Sequence, residues 1–273
     1  MIKIKKCFDL DSTITCGQIF RYSKFEDGYI VIIKDRVLYV KEDGEFILVE
    51  SNNEENLESI INQYFDLNRD YDSILKNIKF SDQGMVKVVE DNRGLKMINQ
   101  DPLETIIAYI ISQNNRVPSI AKSLDIISEK YGTCVSFKDK DYYLFPSLEK
   151  LYNLTIEDFR NCKVGFRDKY LYGIVHSIKD GSLDLNGISS MDSDTAMKYL
   201  MSFKGIGMKV ASCILLFAYE RLDVYPIDTW VKKFMKDNYN IEGEKNIRSF
   251  VSDTYGEYSG LIIQYMFNSK RNK

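Results

Sequence analysis

Residues 200–213, with the sequence LMSFKGIGMKVASC, decide the fold of the C-terminal half of this chain. Apolar residues at helical spacing stand on both sides of a short turn that contains Gly205, Ile206 and Gly207. Two glycines around one aliphatic residue let the backbone turn sharply and approach another surface, because no Cβ is in the way. The segment therefore predicts two helices joined by a tight hairpin, with the second helix beginning near Met208.

The start of that second helix has free backbone N–H groups and the positive end of the helix dipole. Both favour an anion, so the hairpin is typical of a clamp for a phosphate backbone. The alternative for a lone Gly-x-Gly is a plain connection in which the glycines only permit the turn. Lys209 lies in the first helical turn, where the dipole disfavours a cation by roughly 0.3–1 kcal/mol. This placement favours a neutral amine nucleophile, although a solvated lysine is the commoner role.

A second motif, YPIDTW at residues 225–230, follows Lys209 at a short distance. Asp228 is predicted to open another helix, where an aspartate most often serves only as the N-cap. The combination of hairpin, lysine, long apolar helix and Pro-x-Asp at a helix start is far more specific than any one part. Lys209 and Asp228 are therefore the candidate catalytic pair.

Composition excludes several classes of protein. The 273 residues are 44% hydrophobic and 28% charged, which is ordinary for a soluble globular protein, and no run approaches the ~20 apolar residues of a membrane span. Five scattered cysteines without C-x-x-C spacing and a single histidine argue against a zinc site, an iron–sulfur cluster or a disulfide framework. The net charge is −3, but residues 201–273 carry +3, so a polyanion surface is expected there.

Hydrophobic periodicity predicts an α+β protein. Runs at 29–33, 37–40 and 46–49 are typical of antiparallel strands, and helical spacing begins near residue 54. Asp101, Pro102 and Glu104 resemble a capping box that starts a well-marked helix. Further helices are predicted at 147–153, 155–161, 168–179, 193–203, 208–219, 228–238, 244–254 and 257–268. We expect an N-terminal antiparallel β-sheet domain at 1–95 and a mostly α-helical body at 96–273 that contains the hairpin.

These motifs together resemble the helix-hairpin-helix, Gly/Pro-Asp superfamily of DNA glycosylases, and within it the bifunctional 8-oxoguanine DNA glycosylase/AP lyases. The resemblance extends over most of the chain. Besides the hairpin, the similar segments are CGQIFRY at 16–22, RGL at 93–95 with QDP at 100–102, QNN at 113–115, GFR at 165–167, and Tyr258, Gly260 and Phe267 near the C-terminus. Several separated motifs in the same order make chance agreement improbable.

The resemblance implies base excision from duplex DNA through a flipped nucleotide. Lys209 would attack the sugar C1′, and the resulting Schiff base would permit strand cleavage by β-elimination. Asp228 would stabilise the oxocarbenium-like charge, and no cofactor would be required. Backbone N–H groups of Gly205, Gly207 and Val210 would bind a phosphate. The carbonyls of Met201, Phe203 and Ile206 would hold a structural monovalent or divalent cation at the hairpin.

The resemblance also implies a base pocket. The Gly17 carbonyl would accept the N7–H that distinguishes 8-oxoguanine from guanine, and Cys213 and Phe267 would sandwich the flipped base. Ile263 occupies the position where the family has a glutamine for the base edge, with Gln264 one place on. Trp230 replaces the family's histidine two residues after the aspartate.

Recognition of the opposite base is expected to differ from the family pattern. Asn114 and Arg167 match residues that recognise the estranged cytosine, and Phe166 matches the wedge that fills the gap. A third family arginine falls on Ser119 here. Losing a bidentate donor removes part of the ~1–3 kcal/mol of discrimination that such contacts give, so the sequence predicts a relaxed preference for cytosine.

Two alternatives stay open from the sequence. One is a non-catalytic helix-hairpin-helix DNA-binding module, and the other is a glycosylase for other damaged bases. An alkyl-base enzyme would normally lack the lysine, and an endonuclease-III-like enzyme would carry four cysteines after the aspartate. The expected partner is double-stranded DNA containing oxidised guanine. We also expect an intracellular monomer in the cytoplasm, associated with the nucleoid and not with a membrane, since MIKIKK at the start is followed by acidic residues without an apolar segment.

Overall fold

The computed structural model describes residues 1–78, 80 and 83–271, without the side chains of the last two. The strands are β1 (Ile2–Lys5), β2 (Tyr22–Phe25), β3 (Gly28–Ile33), β4 (Arg36–Asp43), β5 (Phe46–Ser51), β6 (Thr133–Phe137) and β7 (Lys140–Leu144). The helices are α1 (Leu10–Thr15), α2 (Leu57–Tyr64), α3 (Tyr71–Asn77), α4 (Gln83–Asp91), α5 (Pro102–Ile111), α6 (Val117–Tyr131), α7 (Leu148–Tyr152), α8 (Ile156–Arg160), α9 (Asp168–Lys179), α10 (Ser193–Met201), α11 (Met208–Ala218), α12 (Thr229–Tyr239), α13 (Glu244–Tyr255) and α14 (Ser259–Arg271).

The N-terminal strands form an antiparallel five-stranded sheet in the order β1-β5-β4-β3-β2. In its register Val31 pairs with Leu38, and Val40 pairs with Val49. Because side chains alternate between the two faces of a strand, these four residues lie on one face, where they pack in a core with α1 and α2. The predicted N-terminal antiparallel sheet is confirmed.

The body that follows is mostly helical, as predicted, and it also contains two strands that the sequence analysis did not predict. Strands β6 and β7 form a two-stranded hairpin between α6 and α7. Leu144 of this hairpin packs with Ile30, Val37 and Tyr39 on the outer face of the large sheet. Both faces of β3 and β4 are therefore covered, which explains why β3 is a continuous apolar run and not an alternating one.

Helix α5 begins as predicted, with one difference. The Asp101 side chain accepts the backbone N–H of Glu104 at 3.1 Å, and Pro102 is the first helical residue. No reciprocal bond from the Glu104 side chain forms a capping box; its carboxylate instead lies 3.4 Å from Nη1 of Arg21. Burial raises the pKa of the Glu104 carboxyl, and the Arg21 guanidinium opposes that rise only in part.

Helices α10 and α11 form the predicted hairpin, and α11 packs against α5 at the centre of the body. The backbone of Gly205 has a φ of +97°, and a Cβ there would lie 2.7 Å from the Tyr170 side chain. Only glycine therefore fits the turn. Residues of α3 and α4, such as Ile74 and Met85, also belong to the core of the body, and the division at residue 95 stays a prediction. Within the described ranges, every helix is too short or too polar to cross a bilayer.

Candidate active site

A cavity of about 810 Å³ opens between the hairpin helix α11, the starts of α6 and α12, the end of α5, the middle of α14, and the loop after α1. The residues that line this cavity come from distant parts of the chain. Eight of the predicted site residues line it, namely Gly17, Asn114, Ser119, Lys209, Cys213, Asp228, Ile263 and Phe267. The tertiary fold thus brings the candidate catalytic pair and the candidate base pocket into one space.

Lys209 and Asp228 share this cavity from two helix starts. Lys209 is the second residue of α11 and is exposed, whereas Asp228 is half-buried at the N-cap of α12. Oδ1 of Asp228 accepts the backbone N–H groups of Trp230 and Val231, each at 2.9 Å. Among the described side chains, neither Lys209 nor Asp228 forms an ion pair, so the Lys209 amine is available to a ligand.

Cys213 and Phe267 supply apolar surface beside the lysine. Cys213 follows Lys209 by four residues, which places both side chains on the same face of α11. Its side chain is buried, and burial raises the pKa of the thiol to about 12. The thiol is therefore neutral at physiological pH and acts as a small polarizable contact surface. Phe267 is half-buried on α14 and lines the same cavity.

Gly17 lines the cavity from the loop after α1. Its φ is +89°, a conformation that glycine adopts readily and other residues rarely do. Within the described part of the chain, the Gly17 carbonyl accepts no hydrogen bond, whereas the Cys16 and Gln18 carbonyls on both sides accept at least one each. Among these three neighbouring carbonyls, that of Gly17 is therefore the one without a protein donor in the described part of the chain.

Ile263 and Gln264 both reach the cavity from α14, and both are buried. Ile263 adds only apolar surface. Nε2 of Gln264 donates to the Cys16 carbonyl at 3.4 Å. The side-chain amide of Gln264 therefore binds the loop that contains Gly17.

The opposite-base residues lie in two places. Asn114 and Ser119 line the cavity, with Asn114 in the left-handed region at a φ of +48°. Phe166 and Arg167 lie outside it. Phe166 is 59% exposed, as a wedge would be, but Arg167 is only 6% exposed because its guanidinium donates to the carbonyls of Gln113, Asn114 and Val164. Arg167 thus stabilises the backbone turn at Gln113 and Asn114 through these hydrogen bonds. A direct contact between Arg167 and a base stays a prediction.

The hairpin lies beside the cavity. Gly207 is the N-cap of α11 and is exposed, and Val210 belongs to the first turn, whose N–H groups have no intrahelical acceptor. The Gly205 carbonyl accepts from Nε2 of Gln113 at 2.9 Å. The three carbonyls predicted to hold a cation belong to Met201, at the end of α10, and to Phe203 and Ile206, in the turn. The Phe203 carbonyl also accepts the backbone N–H of Ile206 at 3.1 Å.

Three aromatic residues of the cavity had no predicted role. The Tyr109 ring stacks on Phe217 at 5.5 Å and meets the Phe20 ring edge-on at 5.6 Å, and all three line the cavity. Phe20 lies within the 16–22 motif, which was a signal for it. Tyr109 and Phe217 are part of apolar helical faces, where periodicity alone predicts only burial.

Comparisons with known proteins agree with this arrangement. Residues 1–106 match the family model for the N-terminal domain of 8-oxoguanine DNA glycosylase. A Clostridium acetobutylicum 8-oxoguanine glycosylase/lyase, solved with double-stranded DNA containing cytosine opposite 8-oxoG, superposes with a TM-score of 0.92 at 38% identity, covering 98% of this chain and 93% of that chain.

Curated relatives carry consistent names. The chain is 27% identical to the probable N-glycosylase/DNA lyase of Methanothermobacter thermautotrophicus over 80% of its length and 76% of that protein. It is 32% identical to an N-glycosylase/DNA lyase of Arabidopsis thaliana over 64% of its length, although this spans only 52% of that relative. The fold, the cavity and these similarities show that the chain belongs to the 8-oxoguanine DNA glycosylase/lyase family.

Proposed function

We propose that this chain excises 8-oxoguanine from duplex DNA in base excision repair and then cleaves the strand as a lyase, with Lys209 as the nucleophile. The observation that supports this activity is that Lys209 and Asp228 line one cavity with the base-pocket candidates Gly17, Cys213 and Phe267. A cavity of about 810 Å³ is ample for an extruded nucleoside. A non-catalytic DNA-binding module would leave this convergence unexplained.

The Lys209 amine forms a bond to C1′ as the bond between C1′ and N9 of the base breaks. The electron pair leaves with the base, which takes up a proton, and the lysine nitrogen now bonded to C1′ loses one. Opening of the sugar ring gives a Schiff base, loss of a C2′ proton follows, and the C3′–O bond breaks. The Asp228 carboxylate stabilises the positive charge that develops on the sugar, as carboxylates do in glycoside hydrolysis. The chain needs no redox cofactor for these steps.

Base recognition divides between polar and apolar contacts. The Gly17 carbonyl accepts N7–H of 8-oxoguanine, and guanine has an unprotonated N7 that would repel it. Cys213 and Phe267 pack on the two faces of the flipped base, and Ile263 supplies apolar surface at its edge. Burial of a planar base between such side chains favours binding without fixing its identity, so the carbonyl carries the discrimination.

We propose a relaxed preference for the base opposite the lesion. Asn114 and Arg167 recognise the estranged base and Phe166 wedges into the gap. Ser119 has one hydroxyl where an arginine would offer a bidentate donor. Cytosine therefore loses part of its advantage over other opposite bases.

The hairpin binds the DNA backbone. The N–H groups of Gly205, Gly207 and Val210 contact a phosphate at the start of α11. A structural cation bound by the carbonyls of Met201, Phe203 and Ile206 would add positive charge beside it, since carbonyl oxygens suit hard cations. The chain acts as a monomer on double-stranded DNA, and its affinity falls steeply with salt because phosphate contacts release counterions.

Borohydride trapping tests the nucleophile. We expect a covalent adduct between the protein and an 8-oxoguanine duplex, lost in Lys209→Gln. Lys204→Gln is the matched control, because Lys204 is an exposed hairpin lysine outside the cavity lining. DNA binding without adduct or base release in the unmodified chain would refute the proposed activity. An adduct that persists in Lys209→Gln would refute the assignment of the lysine.

A further inference from the structure

Three side chains donate to the backbone carbonyls that precede and follow the Gly17 carbonyl. Nε2 of Gln264 donates to the Cys16 carbonyl at 3.4 Å. The Tyr109 hydroxyl donates to the Gln18 carbonyl at 3.3 Å, and Nε2 of Gln100 donates to the same oxygen at 2.9 Å. The Gly17 carbonyl lies between these two bonded carbonyls and, among described residues, has no bond of its own.

Tyr109 is rigidly placed for this contact. The side chain is 6% exposed, its ring stacks on Phe217 with an interplanar angle of 11°, and Phe20 packs edge-on against it. These contacts fix the ring, and the ring direction fixes the hydroxyl. Since Tyr109 also lines the cavity, one residue joins the cavity wall to the Gly17 loop.

The loop itself is anchored by Gln18. Its Nε2 donates to the carbonyls of Thr13 at 2.9 Å and Lys96 at 2.8 Å, and its Oε1 accepts the N–H of Ile98 at 2.8 Å. Gln18 is fully buried. Gly17, with a φ of +89°, offers little steric resistance to backbone rotation, so its carbonyl depends on hydrogen bonds to the neighbouring residues for its direction.

We propose that Tyr109 and Gln264 are positioning residues that keep the Gly17 carbonyl directed at the base, and this inference rests on the proposed recognition of 8-oxoguanine by that carbonyl. Both residues act through Gly17. A carbonyl that turns away loses its hydrogen bond to N7–H of the lesion and also its repulsion of unprotonated N7 in guanine. The positioning residues therefore affect recognition of the lesion and leave the chemistry at an abasic sugar unchanged.

Tyr109→Phe is the first test, because it removes the hydroxyl and keeps the ring. We expect single-turnover excision of 8-oxoguanine to fall about three- to tenfold, while cleavage of a preformed abasic site stays unchanged. In a Lys209→Gln background, the ratio of affinities for 8-oxoguanine and guanine duplexes should fall by a similar factor. Tyr219→Phe is the matched control, since its hydroxyl donates to the Leu185 carbonyl at 2.9 Å outside the cavity.

Gln264→Met, alone and combined with Tyr109→Phe, tests whether the two side chains act by positioning the Gly17 carbonyl or by contacting the base directly. If both side chains act through the same carbonyl, the losses in lesion discrimination should be clearly less than additive. Additive losses, or a Tyr109→Phe variant with normal discrimination, would overturn the inference. An equal loss of abasic-site cleavage would also overturn it, because that step needs no base recognition. Failure of the unmodified chain to release 8-oxoguanine would instead refute the proposed function.

Discussion

The Asp228 carboxylate caps the helix that carries Trp230. Its Oδ1 atom accepts the Trp230 N–H at 2.9 Å and the Val231 N–H at the same distance. One oxygen of the proposed catalytic carboxylate thus stabilises the start of α12 and fixes the orientation of the other. The structural and the catalytic interpretations of this aspartate are therefore both compatible with the geometry, and substitution can separate them.

Asp228→Asn should keep the cap and lose most of the excision activity. Asparagine caps helices about as well as aspartate does, so the free energy of unfolding should change little. The neutral amide cannot stabilise the developing positive charge on the sugar. Single-turnover excision and chemical denaturation measure the two effects.

Asp228→Ala is the control for that comparison, with an expected loss of about 0.5–2 kcal/mol in unfolding free energy. An asparagine variant that unfolds as easily as the alanine variant would show that the carboxylate charge matters mainly for stability.

Ser119→Arg should restore preference for cytosine opposite the lesion. Residues 114 and 119 line the same cavity, so we expect a guanidinium at residue 119 to reach the base that Asn114 is proposed to recognise. We expect the ratio of excision rates opposite cytosine and adenine to rise at least about fivefold, which corresponds to about 1 kcal/mol of discrimination. A high ratio in the unmodified chain would contradict the relaxed preference. Ser119→Ala provides the matched control without a new donor.

The two hairpin glycines should respond differently to alanine. A Cβ at Gly207 meets no atom within 4 Å and its φ is −92°, so Gly207→Ala should fold, with a stability cost of at most about 1 kcal/mol. DNA affinity should still fall, because the methyl group would lie at the proposed phosphate site. Filter binding at several salt concentrations measures this loss, and unchanged affinity would place the phosphate elsewhere.

Gly205→Ala should instead reduce stability. The positive φ costs at least about 1 kcal/mol for alanine, and the Cβ would approach the Tyr170 side chain to 2.7 Å. Thermal unfolding should detect a lower melting temperature. A variant as stable as the unmodified chain would mean that the turn can adopt another conformation.

Cys213 should resist alkylation at pH 8. Burial raises the pKa of its thiol from 9.0 to about 12, whereas Cys7 and Cys134 are exposed. Iodoacetamide followed by peptide mass analysis should modify the two exposed thiols first. Since the folded state holds the Cys213 proton more tightly than the unfolded chain does, its contribution to stability is constant below pH 9 and is lost as the pH rises from about 9 towards 12. Rapid modification of Cys213 in the folded protein would contradict this.

Chelation should leave excision intact. The described residues contain no group of three or more histidine, cysteine, aspartate or glutamate side chains able to hold a metal ion. We expect single-turnover excision in the presence of a divalent-ion chelator to match the untreated rate. A rate restored only by adding one divalent metal would mean that the hairpin carbonyls hold an ion that the reaction needs.

The sequence predicted most elements because their signals are local. Helix α11 is preceded by Gly205 and Gly207, and α5 begins with Asp101 and Pro102, which set backbone conformation within one turn. The hairpin of β6 and β7 was missed because its exposed strands contain many polar residues and make their main apolar contacts with the distant sheet. Glu104 satisfied the local pattern of a capping box, but a residue 83 positions away paired with it instead.

By itself, the sequence determined which residues could carry the chemistry: a lysine in the first turn after a glycine hairpin, and an aspartate at the next helix start. Tertiary structure alone decided that Lys209 and Asp228 share a cavity with Gly17, and that the Arg167 guanidinium donates to the backbone carbonyl of Asn114. Turn and cap preferences act over a few neighbouring residues, whereas the direction of a side chain depends on packing between segments far apart in the chain. The loop at Gly17 shows this most clearly. Tyr109 and Gln264, which are far away in the sequence, donate to the carbonyls of Gln18 and Cys16 and leave the Gly17 carbonyl without a described donor.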